Sequence, residues 1–276
     1  MKWRIIESPA LEGAANMAID EAIMLAQSRG EVLPTLRFYR WSPAAVSMGY
    51  FQKAQAEIDF EECSRRGIDV VRRLTGGRAV LHQDEITYSL IVNEEYSGIP
   101  PTITGSYRYF SAGLVAGLKK LGVKADMSIP RNAYGARERS SRAATAACFD
   151  SASNYEIICN GRKLVGSAQV RKQGVVLQHG SLLLSFCAED LAAILRFDSE
   201  DKRREMAAVL NNSVTSMKEI LGRKVSWEET RAALLEGMEE TLHITACPGM
   251  LTREEQAVSQ QLTLEKYSSS AWTCKR

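Results

Sequence analysis

Strand-like spacing dominates the first two thirds of the chain, and helical spacing dominates the last third. Residues 3–7 read as a first strand. A helix follows from about Asn16, a candidate cap, and stops near Gly30. Residues 36–41 and 45–50 read as strands on either side of the turn signal Ser42-Pro43. Residues 57–66 have a helical pattern. Residues 70–82 read strand, Gly76-Gly77 turn, strand, with arginines flanking the turn. They lead into 86–92, a β-branched and aromatic run that suits a buried strand. Tyr107, Phe110, Leu114, Leu118 and Leu121 then recur at helical spacing, with Gly122 as the stop.

Residues 132–147 break this order. They carry no apolar periodicity and are rich in Arg, Ser and Ala, so they read as a long loop of the kind that often serves function. Two strands, 155–159 and 162–170, flank the hairpin signal Asn160-Gly161, and a turn at Gln173-Gly174 leads to a third, 175–184. From Glu189 onward the pattern is helical. Ser216/Glu219, Ser226/Glu229 and Thr252/Glu255 fit capping boxes. The expected fold class is α+β within a single domain: a mixed α/β core over 1–187 and a helical C-terminal extension over 188–276.

Composition narrows the class only a little. With 45% hydrophobic and 25% charged residues the chain should be globular, and a net charge of +2 argues against a dedicated nucleic-acid binder. No apolar run is long enough to span a bilayer, and the N-terminus has no uninterrupted apolar stretch of signal-peptide type. The 6 cysteines form no CxxC pair, which fits a reduced, cytoplasmic protein. The 3 histidines are far apart in sequence, so no zinc site is expected.

Walker, dinucleotide-binding and G-x-S-x-G signatures are all missing, which removes the main evidence for nucleotide hydrolase, dehydrogenase and serine hydrolase chemistry. Attention passes to two features. The Gly76-Gly77 turn is either a plain solvated hairpin or a cradle whose exposed N–H groups receive a carbonyl or anion. Cys148 ends the arginine-bearing loop (Arg131, Arg137, Arg139 and Arg142). It is either a small buried residue, with Lys163 a solvated strand-end charge, or a thiol whose pKa Lys163 lowers across the Asn160-Gly161 hairpin. Cys187 is its competitor, and Cys159 suits the core. His82 and His179 are each a candidate base or a hydrogen-bonded structural residue. The loop arginines are either solvated or a dock for an acidic partner.

Three segments, 72–82, 161–169 and 177–181, together resemble the lipoate-protein ligase and octanoyltransferase family, and 16–21 is similar to that family's first helix. Cys148-Phe149-Asp150, ahead of Tyr155-Glu156, resembles one octanoyltransferase branch in particular. The resemblance implies the biotin and lipoate ligase catalytic fold, a mixed sheet flanked by helices. It implies transfer of an octanoyl group from acyl carrier protein to a lysine of a lipoyl-domain protein such as the glycine cleavage H protein, with no cofactor, metal, nucleic acid or membrane. By the family pattern Cys148 is the acyl-thioester nucleophile and Lys163 lowers its pKa. Arg73, Thr75, Gly76, Gly77 and His82 border an acyl and lysine tunnel, and Gly166, Ser167, Ala168, His179 and Gly180 line its other side. In another octanoyltransferase branch the thiol follows the His-Gly segment, where this chain has Cys187. ATP-dependent ligases share the Gly-Gly and Lys motifs, and an amidotransferase that takes octanoyl groups from H protein also uses a cysteine. The Gly-Arg-Gly-Arg pattern of biotin ligases is not matched by Arg72-Arg73-Leu74-Thr75. An acyl-binding or docking protein without turnover is the reading from a different class.

Overall fold

The computed structural model describes residues 1–96, 98–128 and 156–276. Its elements are β1 (Lys2–Leu11), α1 (Gly13–Ser28), β2 (Thr35–Trp41), β3 (Ala45–Met48), α2 (Ala54–Glu57), α3 (Phe60–Arg65), β4 (Asp69–Arg72), β5 (Val80–His82), β6 (Glu85–Asn93) and α4 (Ile103–Lys120). There follow β7 (Ala125–Met127), β8 (Ile157–Cys159), β9 (Arg162–Lys172), β10 (Val175–Leu183), α5 (Ala188–Ala193), α6 (Glu200–Ser213), α7 (Met217–Leu221), α8 (Trp227–Leu242), β11 (Thr245–Pro248), α9 (Arg253–Leu262) and α10 (Ser270–Thr273).

Eight strands form one mixed sheet in the order β11-β1-β2-β6-β10-β9-β8-β7, and a second sheet has the order β4-β3-β5. Alternation along β6 gives the large sheet two different faces. Ile86, Tyr88, Leu90 and Val92 point to one side, where they join Leu36 and Phe38 of β2, Phe110 and Leu114 of α4, and Leu234 and Met238 of α8 in the largest core cluster. On that side α4 and α8 meet backbone to backbone: a Cβ on Gly237 would lie 2.1 Å from the Gly117 nitrogen. The other side of β6 presents Glu85, Thr87 and Ser89, all buried. Tyr39 of β2 and Ser181 of β10 lie opposite Thr87, while Arg37 and His179 lie opposite Ser89. A buried polar face is unfavourable unless its groups are hydrogen-bonded, and here it becomes the floor of the candidate site. Next to it Ile91 and Leu177 pack on Ile19 and Ile23 of α1.

Several expectations from the sequence are corrected. The first helix begins at Gly13, and Asn16 lies buried inside it rather than capping it. Its amide donates to Leu11 O at 3.1 Å and Arg40 O at 2.9 Å, and its oxygen accepts from Arg37, so it ties α1 to two strands. The strands around Gly76-Gly77 do not form a hairpin. β4 runs parallel and β5 antiparallel to β3, which lies between them. The helix expected over 57–66 is two short helices, the second capped by Asp59.

The C-terminal part is not purely helical, because β11 pairs in parallel with β1 at the sheet edge. A four-residue edge strand that ends in proline is too short for its period to stand out. Of the three expected capping boxes, Thr252/Glu255 is complete in both directions. Ser216 and Ser226 accept from Glu219 and Glu229 backbone nitrogens, but those carboxylates turn to Thr215 and Arg223 instead. Among the described residues, no helix is long and apolar enough to cross a membrane.

Candidate active site

Between the polar face of the large sheet and the small sheet lies a cavity of about 190 Å³. Tyr39, Trp41, Thr87, Ser181, His179 and Gly166 come to it from the large sheet, Ser47, Val80 and His82 from the small one, and Met17 from α1. Arg73, Gly77 and Arg78 enter from the turn between β4 and β5, and Ser167, Ala168 and Gly180 complete the wall. Most of the residues expected to line a tunnel thus meet at one place, although they span more than a hundred positions of sequence. Thr75 and Gly76 stand behind the lining. The Thr75 hydroxyl is 2.7 Å from His179 Nε2, and Gly76 O accepts from Arg73 at 2.9 Å.

The turn is shaped by its glycines. Gly77 has φ +91°, a left-handed conformation, and a Cβ there would lie 2.9 Å from Arg73 Nη2. A Cβ on Gly49 would meet Gly77 O at 1.9 Å, so the strand and the turn touch through bare backbone. Arg73, 4% exposed, does not present a loose charge to the cavity. It donates to Ser47 O, Gly76 O, Arg78 O and the Thr75 hydroxyl, and so fixes the curvature of the turn.

Both histidines of the cavity have a carboxylate beside them. His82 Nδ1 lies 3.1 Å from Glu85 Oε2, Nε2 lies 2.8 Å from Ser47 Oγ, and its ring stacks on Trp41 with centroids 4.1 Å apart. His179 Nδ1 lies 3.4 Å from Asp20 Oδ2. Burial holds the His179 pKa below that of a free imidazole, more than Asp20 raises it, so the ring is neutral near pH 7. Burial pushes the Asp20 carboxyl up, but Arg37 and the hydrogen bonds around it outweigh burial and hold its pKa below the ordinary value. Tyr39, which donates to Asp20 at 3.0 Å, has its pKa driven well up by burial and by that carboxylate. The histidines are therefore oriented groups in a fixed network.

Cys148 lies outside the described residues, as do Arg131, Arg137, Arg139, Arg142 and the segment 132–147. Lys163 is described, and it is not a solvated strand-end charge. It sits in β9, 4% exposed, three positions before Gly166, and its ammonium donates to the buried carboxylate of Glu156. Ser128 N donates to Glu156 O at 2.7 Å and Glu156 N to Ser128 Oγ at 3.1 Å. The segment that carries Cys148 thus leaves and rejoins the described structure at one point, and Lys163 is bonded to that point. Cys187 is exposed, does not line the cavity, and donates to Glu189 at 3.4 Å. Partial burial and that carboxylate push its pKa up. Cys159 is part of the main core, as expected, and burial pushes Cys63 up to about 11.

A family model, the lipoyl protein ligase A/B catalytic domain, matches residues 12–239. The chain belongs to the lipoyl protein ligase A/B catalytic domain family. It is 47% identical over 274 residues to octanoyltransferase LipM of Kyrpidia tusciae, with 99% of each chain covered. It is 40% identical over 274 residues to octanoyltransferase LipM of Bacillus subtilis, covering 99% of this chain and 98% of that one. Among solved structures, the bi-partite lipoate protein ligase of Thermoplasma acidophilum superposes with a TM-score of 0.81 at 27% identity, covering 99% of this chain and 96% of that one. A lipoate-protein ligase A bound with ATP gives 0.79 at 27% identity, with 99% of each covered. The mixed sheet flanked by helices is thus the architecture of this family.

Sequence reasoning missed Asp20, Ser47, Glu85, Thr87, Glu156 and Ser181. The signal for three of them was present: Glu85 and Thr87 alternate with Ile86 and Tyr88 in a strand too apolar to be exposed, and Ser181 alternates with Leu182. Polar residues at every second position of a strand that is buried on both faces must find hydrogen-bond partners, and for Glu85 and Thr87 those partners are groups around the cavity.

Proposed function

We propose that this protein is an octanoyl-acyl carrier protein:protein N-octanoyltransferase. It moves an octanoyl group from acyl carrier protein to one lysine of a lipoyl domain, that of the glycine cleavage H protein. The observation that carries the reading is likeness to octanoyltransferases over 99% of the chain at 40–47% identity. The cavity supports it: Met17, Trp41 and Val80 give an alkyl chain apolar contact, while bonded polar groups surround the place where chemistry occurs.

In the first step the Cys148 thiolate adds to the carbonyl carbon of the donor thioester. The tetrahedral intermediate collapses, the carbon–sulfur bond to the carrier breaks, and the carrier thiolate leaves. The octanoyl group is then held on Cys148 as a thioester. In the second step the neutral acceptor amine adds to that carbonyl, the nitrogen gives up one proton to solvent, the bond from carbon to the Cys148 sulfur breaks, and an amide and the Cys148 thiolate result; solvent returns a proton to the carrier thiolate. One thioester replaces another of nearly equal energy, and amide formation then drives the reaction without ATP. Lys163 supplies the positive charge that favours the thiolate. Support for this pairing comes from the bonding of Lys163 to Glu156, where the segment bearing Cys148 rejoins the fold. Cys187 is a poor alternative, because its pKa is raised and it does not line the cavity. A cytoplasmic location suits 6 cysteines without a framework and a thiol nucleophile.

The reading is tested by mixing the protein with octanoyl-acyl carrier protein and apo H protein, without ATP, and weighing the acceptor. A mass gain of one octanoyl group is expected. Transfer only from octanoyl-H protein to another lipoyl domain would make it an amidotransferase, and a strict need for ATP would make it a ligase.

A further inference from the structure

One polar side chain of the cavity lining stands apart. Tyr39 donates to Asp20, Trp41 to Thr87 and Arg73 to Ser47, and the Ser167 hydroxyl is 2.6 Å from Tyr88 OH. His82 and His179 each meet a hydroxyl, and Arg78 is engaged as well. Ser181 also lines the cavity, is 2% exposed, and among the described residues its Oγ has no hydrogen-bond partner.

Its position in the sheet explains why. Ser181 lies in the middle of β10, with Thr87 opposite on one side and Gly166 on the other. Thr87 Oγ1 is already taken up by Trp41 and Glu85. Gly166 has no side chain, so that neighbour neither bonds nor covers the hydroxyl. Leaving a buried hydroxyl unpaired costs on the order of 1–3 kcal/mol. An unpaired buried polar atom in a folded protein calls for an explanation, and a catalytic role is one of the few that serve.

We propose that Ser181 is a catalytic residue whose hydroxyl donates to the carbonyl oxygen of the bound acyl group. This rests on the octanoyltransferase reading and adds to it the group that meets the reacting oxygen. An octanoyl thioester carries a single strong acceptor, its carbonyl oxygen, and the rest of the chain is hydrocarbon. A buried hydroxyl without a hydrogen-bond partner among the described residues, in a cavity that takes such a chain, therefore sets the depth at which the carbonyl rests. When the thiolate adds to the carbonyl carbon, the π pair moves onto that oxygen. The hydroxyl then bonds an anion, and this bond is stronger than the one to the neutral carbonyl. The pair returns to the carbon as the carrier thiolate leaves. Ser181 keeps its proton throughout, and the same contact serves the addition of the acceptor amine.

The test uses the full chain with octanoyl-acyl carrier protein as donor and a lipoyl domain as acceptor. S181A should lower kcat by on the order of 10²-fold, the scale of one oxyanion donor, with KM for the donor little changed. Its Tm should match or exceed that of the wild type, because an unsatisfied buried hydroxyl has been removed. S181T retains the hydroxyl and should recover most of the lost turnover. Wild-type kcat in S181A overturns the inference. A loss of turnover that comes with a lower Tm and is not relieved in S181T assigns Ser181 to packing and overturns it too. Wild-type protein that transfers no octanoyl group defeats the reading on which the inference rests, a result distinguishable from either of these.

Discussion

Lys163 and Glu156 are 4% and 3% exposed, so neither charge can be removed alone without cost to the fold. Lys163→Ala should destabilise by about 3–5 kcal/mol, because a carboxylate stays buried without its cation. The paired change Lys163→Met with Glu156→Leu should recover much of that loss while acylation stays slow. Denaturant midpoints and single-turnover rates on the two proteins separate the structural role of Lys163 from the chemical one. A paired variant that acylates at the wild-type rate would remove Lys163 from the mechanism. A second prediction concerns pH. Asp20 has a folded pKa below its ordinary 3.8, so the stability it contributes is fully present above about pH 4 and is lost as pH falls through the lower folded value. Asp20→Asn should therefore lower Tm most at neutral pH, and the gap from wild type should close in acid. A gap that stays constant with pH would show that the carboxylate charge is not what matters.

Among the elements, the α4–α8 crossing carries a sharp expectation. Gly117 and Gly237 touch through backbone, and a Cβ on Gly237 would lie 2.1 Å from the Gly117 nitrogen. Gly237→Ala should cost about 1–3 kcal/mol by overpacking, read as a lower urea midpoint with an unchanged m-value. An unchanged midpoint would mean that the helices can separate freely. The helical spacing of Tyr107 to Leu121 and the Asn160-Gly161 turn were legible in the sequence, because each is specified locally. The strand arrangement around Gly76-Gly77 was not, since β3 enters between β4 and β5 from a distant part of the chain. The motifs brought out Arg73, His82 and His179. Their partners Ser47, Glu85 and Asp20 are set by register across strands and by packing of α1, which no local pattern displays.

At the scale of the whole molecule, the C-terminal residues work as a brace rather than an appendage. Arg72 is fully buried and donates to Trp272 O at 3.2 Å and to Thr273 O at 2.8 Å, as well as to Gly49 O and Tyr50 O next to the Gly-Gly turn. Arg4 donates to Glu255 at 2.8 Å and 2.5 Å, binding β1 to α9. Deleting residues from 270 on should leave Arg72 short of acceptors, lower Tm, and slow acyl transfer through the loosened turn. Differential scanning of the truncated chain checks this, and a truncated protein with wild-type Tm and turnover would refute it. One face of the sheet supplies the main core, and the other carries the buried polar groups that floor the candidate site beside a smaller core against α1.

Acyl transfer through Cys148 is decided by the intact mass and peptide map of the protein after brief mixing with octanoyl-acyl carrier protein in the absence of acceptor. One octanoyl group is expected, on Cys148, as a hydroxylamine-labile thioester that disappears when a lipoyl domain is added. No adduct, or an adduct on Cys187, would rule out Cys148 as the nucleophile.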